Sequence, residues 1–103
     1  MYKKLVRDKI PEIIQSKGQN PITRILNEDE YKLELEKKLN EEYQEVLNAT
    51  GDDRIEELAD MLEVMIYLAK LENKDLNDII DVCNQKHDKR GGFADKIYLE
   101  DVE

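Results

Sequence analysis

A chain of 103 residues with a formal net charge of −9 carries one domain's worth of sequence, and its acidity sets it against nucleic acid polymers and anionic membrane surfaces as partners. The lone cysteine, Cys83, excludes an internal disulfide and fits a reducing cytoplasm. No apolar run approaches the roughly 18 residues of a membrane span, and the opening residues lack the apolar centre of a signal peptide, so a soluble cytoplasmic protein is expected. Residues 1–103 read as one domain, rich in Leu, Glu, Lys and Ile, which favours an all-α chain.

The first helix is expected from near Asp8 to Lys17, with Pro11 in its first turn and Gly18 just past its end. Ile10, Ile13 and Ile14 give it an apolar face. Residues 22–26 read as a short strand. Asn27 followed by Glu30 is a capping box opening a second helix over about 28–49. Asp53 followed by Glu56 reads as another, opening a third helix over about 54–72. From Leu58 to Leu71 that helix is polar only at Asp60, Glu63, Tyr67 and Lys70, the pattern of a central, buried element. Asp75 caps a fourth helix that stops before Gly91-Gly92. Residues 96–100 read as a second short strand, pairing with 22–26.

Two pairs of acids stand out. Glu42 and Glu45, and Glu57 and Asp60, are each spaced i, i+3, so each pair shares one face of a helix. Glu42 falls inside the apolar stripe Leu35, Leu39, Val46, Ala49. Glu57 extends the stripe Met61, Val64, Leu68, Leu71. A hairpin would bring four carboxylates together, and they repel unless cations neutralise them. Hard divalent metal, and hence phosphate chemistry, is one reading. The other is a set of solvated faces carrying salt bridges, as Lys38 with Glu42 would make.

The run Glu41-Glu42-x-x-Glu45, eleven residues, then Glu57-x-x-Asp60 resembles the signature of the all-α NTP pyrophosphohydrolase superfamily. That group includes MazG-type proteins, dimeric dUTPases and phosphoribosyl-ATP pyrophosphohydrolase. The opening Tyr2-Lys3-Lys4-Leu5-Val6-Arg7-Asp8-Lys9-Ile10-Pro11 and the closing Lys89-Arg90-Gly91-Gly92-Phe93 are similar to a small MazG-like subgroup. The resemblance implies a four- to five-helix bundle working as a homodimer or homotetramer. It implies Mg²⁺, with Mn²⁺ as a substitute, held by Glu42, Glu45, Glu57 and Asp60. The implied reaction is hydrolysis of a nucleoside triphosphate to monophosphate and pyrophosphate, with Glu41 or Glu42 orienting water or acting as base. Phosphoribosyl-ATP hydrolysis is the alternative substrate choice. A non-catalytic helical interaction protein is the alternative of another class.

The basic residues allow two readings as well. Lys86, Lys89 and Arg90 near the end of the fourth helix suit its dipole, or grip phosphate oxygens. Arg7 and Lys9 belong to a charged helix start, or close over a nucleotide. Tyr43, Tyr67 and Phe93 are candidates to stack on a base, core packing being the stronger reading for Tyr67. Cys83 reads as a small core residue and His87 as a surface one. A short chain with one nearly all-apolar helix has too few other elements to cover it, so assembly is expected on physical grounds.

Overall fold

The computed structural model describes residues 3–103, so Tyr2 of the opening motif lies outside the described residues. Four helices follow in order: α1 (Ile10–Ser16), α2 (Glu28–Leu47), α3 (Gly51–Leu71) and α4 (Leu76–Arg90). The fold is all-α, and α2 and α3 form its centre.

Local chemistry accounts for most boundaries. Pro11 opens α1 where an N–H has no partner to lose, and Gly18 leaves it at φ 81°. Asn27 caps α2: its Oδ1 accepts from the Glu30 N–H at 2.9 Å, and Glu30 Oε1 accepts from the Asn27 N–H at 3.3 Å. Arg24 holds the same Glu30 through both oxygens, at 3.0 and 2.6 Å. At the other end, Asn48 Nδ2 donates to the Gln44 carbonyl and stops α2 before Ala49. Asp75 and Asp78 form a reciprocal cap on α4, which ends at Arg90 with Gly91 at φ 78°.

One cap differs from expectation. α3 begins at Gly51, not after Asp53; Thr50 is its N-cap and Asp53 lies within the first turn. Gly51 at φ 59° reverses the chain, a conformation that lets the helix start three residues early. Asp52 and Asp53 then favour the helix dipole by charge rather than as caps.

Three residues joined neither to α2 nor to α3 separate these long helices, so they run antiparallel and pack along their length. Leu35 and Val46 of α2 and Val64 of α3 are buried. The expectation that α3 is buried on most sides is not met within one chain: Ile55, Leu58 and Leu62, spaced i, i+3, i+7, face solvent. Only α2 covers it over its full length, and α4 touches it sparsely. Residues 80–90 of α4 are exposed, Cys83 among them, so Cys83 is not a core residue.

The expected strand pair is absent: no strand occurs among the described residues. Ile22 and Ile25 are each 96% exposed, and Ile97 and Tyr98 nearly as open. Two isolated strands are marginal in water without a third strand or a helix to pack on, and neither segment has one.

Candidate metal centre

The α2–α3 hairpin brings Glu42, Glu57 and Asp60 together. Each offers a carboxylate oxygen, and the three oxygens lie within 4.8 Å of one another. The stripe logic explains why. Glu42 sits between Leu35 and Val46 on the face of α2 that meets α3, and its side chain is only 14% exposed. Glu57 and Asp60 lie two turns and one turn before Val64, respectively, on the facing helix.

Glu45 does not join them. One residue short of a full turn from Glu42, it rotates out of the interface and is exposed. Its charge still acts on Glu57. The expected four-carboxylate set is therefore three converging acids with a fourth at the rim.

Two of the three carboxyls are shifted upward. Burial pushes the Glu42 carboxyl up from its ordinary value, and repulsion from Asp60 and then Glu57 and Glu41 adds to this, against the pull of Lys38. Glu57 is likewise raised, by desolvation first and then by Asp60, Glu45, Glu56 and Asp53. Lys38 Nζ lies 3.9 Å from both Glu42 and Glu41, too far for a firm hydrogen bond.

A second cation approaches from outside the helices. The N-terminal segment before α1 crosses the α2–α3 pair as a strap, with Leu5 and Val6 half-buried. Arg7 donates to Asp60 Oδ1 at 2.8 Å, and its other terminal nitrogen lies 3.7 Å from Glu63 Oε2. Strap and helices enclose a cleft of about 380 Å³ whose wall includes Glu42, Asp60, Lys38, Tyr31 and Tyr67.

Of the five basic residues singled out in the sequence, Arg7 is the one found against these acids. Lys9 is the exposed N-cap of α1. Lys86, Lys89 and Arg90 are exposed along the end of α4, where Lys89 and Arg90 suit the helix dipole. Glu41 is exposed and turned toward Lys38. Tyr67 lines the cleft, with Lys70 Nζ 4.7 Å from its ring centre. Tyr43 and Phe93 face solvent.

Sequence reasoning missed Tyr31 and the apolar strap residues Leu5 and Val6. Tyr31 lies one turn before Leu35 on the same stripe, which is a legible signal. Nothing in the residues before Asp8 announces that they fold back over α2 and α3.

The donor set fits a hard divalent ion. Oxygens bound to one Mg²⁺ at about 2.1 Å lie at most about 4.2 Å apart, so small side-chain rotations bring these three into range. All three donors are carboxylates, and two of them are held back from ionising by desolvation first and then by neighbouring acids, a repulsion that a dication relieves.

No family model matches the chain, and no solved structure matches it. An uncharacterized protein of Mycolicibacterium smegmatis is 47% identical over 49 residues, which are 48% of this chain and 50% of that protein. The chain thus spans about half the length of this relative.

Proposed function

We propose that this chain is a Mg²⁺-dependent nucleotide pyrophosphohydrolase of the MazG-like kind, cleaving a nucleoside triphosphate between its α- and β-phosphates. The observation that carries the reading is the convergence of Glu42, Glu57 and Asp60 within 4.8 Å, with Glu42 and Asp60 at the wall of a cleft. A triphosphate and a protein of net charge −9 repel each other, so recognition needs intervening cations. When bound, a divalent ion polarises phosphoryl oxygens and makes water nucleophilic near neutral pH.

Glu42, Glu57 and Asp60 hold the ion, and Glu45 at the rim adds negative charge that draws it in. Glu42 is also the better proton acceptor: its raised carboxyl lies closer to neutral pH than that of an ordinary glutamate. Glu41 is placed to orient water only if it turns from Lys38. Tyr31 and Tyr67 offer ring surfaces in the cleft. Phosphoribosyl-ATP is the alternative substrate, because it presents the same α–β linkage to the same acids. The whole assembly is a cytoplasmic homodimer or homotetramer. Among the described residues no helix is long and apolar enough to cross a membrane.

Assay of pyrophosphate release across a panel of triphosphates and phosphoribosyl-ATP, with Mg²⁺ and Mn²⁺, tests the reading. Metal-dependent release is expected, lowered on the order of 100-fold or more by Asp60→Asn or Glu57→Gln. Parental rates in both variants would remove these acids from the site. No release from any substrate would leave the reading of the other class, a helical interaction protein with an acidic face.

A further inference from the structure

We infer that Arg7 is a resident cation of the acidic cluster, which a divalent ion displaces, so that metal loading unlatches the N-terminal strap. The inference rests on the metal-site reading above and adds a regulation to it. Asp60 is the point of contact: it belongs to the converging triad, and it accepts the 2.8 Å hydrogen bond from Arg7. An ion drawn to Asp60 brings two positive charges against a guanidinium already on that carboxylate, and like charges at that range repel.

Lys38 and Arg7 differ in freedom. Lys38 projects from the middle of α2 and moves only within the reach of its side chain. Arg7 sits outside any helix, in a segment that also meets the cleft through the half-buried Leu5 and Val6. Loss of the Arg7–Asp60 contact therefore loosens a stretch of backbone as well as a side chain, the longer Arg7–Glu63 pair remaining. It also releases, at the mouth of the cleft, the side chain whose planar fork matches phosphate oxygens. In this scheme Arg7 serves the acids before the ion arrives and the substrate afterwards.

Reciprocity makes the proposal measurable. If the ion weakens the latch, the latch weakens ion binding by the same factor. The Arg7 and Asp60 side chains are 54% and 46% exposed, and ion pairs of that exposure shift an equilibrium by no more than about fivefold. Full-length Arg7→Met should bind Mn²⁺ about two- to fivefold more tightly than the parent by calorimetric titration. Arg24→Met is the control: it removes one positive charge too, but from a residue paired with Glu30. It should leave Mn²⁺ affinity near the parental value.

The second readout is tryptic cleavage after Lys4, mapped by mass. Mg²⁺ should accelerate it in the parent, and in Arg7→Met it should be fast with or without the ion. Equal or weaker Mn²⁺ binding by Arg7→Met relative to Arg24→Met would overturn the latch and leave the metal centre standing. So would cleavage that Mg²⁺ slows. Absence of ion uptake by parent and variants alike would remove the metal centre itself, and the latch with it.

Discussion

Glu42 stands where the packing of α2 calls for leucine, and the consequence is an energetic cost in the metal-free protein. Its carboxyl and that of Glu57 are raised in the folded chain. Between the ordinary glutamate value and the raised one, the folded state binds more protons than the unfolded state. Stability therefore falls as pH rises through that window, and the penalty is fully present above it. Glu42→Gln should accordingly raise the metal-free Tm at pH 7, and the gain should vanish near pH 4, where the parental carboxyl is itself protonated. A Tm at pH 7 that stays put or drops would mean that Lys38 already neutralises Glu42. Ion affinity should weaken on acidification starting above the usual carboxylate range, because protons and ion compete for the same oxygens. The stripe placement made Glu42 and Glu57 legible from spacing alone. Glu45 was misjudged because i, i+3 spacing leaves about 60° between side chains, enough to turn one of them out of a narrow two-helix seam. The Arg7–Asp60 contact spans 53 positions in the chain, and no local pattern encodes it.

At the scale of elements, capping chemistry carries the boundaries. Glu30 shows a shift opposite to that of Glu42: the Arg24 hydrogen bond, with help from the Asn27 N–H, holds its carboxyl down at about 2. Stability from that depressed carboxyl is present above the ordinary glutamate value and is lost as pH falls toward 2. Asn27→Ala removes the other half of the box and should cost about 1 kcal/mol, seen as a Tm lower by roughly 4–8 °C for a chain of this size. A loss well below that range would mean that Arg24 and water satisfy the first turn of α2 unaided. The box at Asn27 and the cap at Asp75 were readable because their signals are local, whereas the reciprocal partner of Asp75, Asp78, was not singled out. The box expected at Asp53 failed because Gly51 supplied a backbone reversal that the Asp-to-Glu spacing does not reveal. The strands at 22–26 and 96–100 failed for a different reason: β-branched composition is a local signal, whereas pairing needs a neighbour to pack on.

At the scale of the whole molecule, a single chain is more open than a compact monomer of its length. Its radius of gyration is 18.0 Å, against about 13 Å for a compact chain of this length. Its accessible surface is 9615 Å², against about 6,000 Å² for a compact monomer of the same mass. The excess comes from identifiable parts: the outer face of α3 at Ile55, Leu58 and Leu62, most of α4, and the extended residues after it, where Phe93, Tyr98 and Leu99 have nothing to pack on. An obligate dimer interface buries about 2,000–5,000 Å² in total, so an excess of this size can be covered by further copies of the chain. Closing α3 faces against one another would convert a two-helix seam into a bundle with a real centre. The molar mass by light scattering at tens of micromolar is expected to be at least twice 12.1 kDa, and Tm should fall on dilution. Leu62→Lys, on the outer face of α3 and away from the cleft wall, should lower both the mass and the Tm. A particle of 12.1 kDa with a Tm independent of concentration would show that one copy folds alone, and that these apolar faces serve something other than self-assembly.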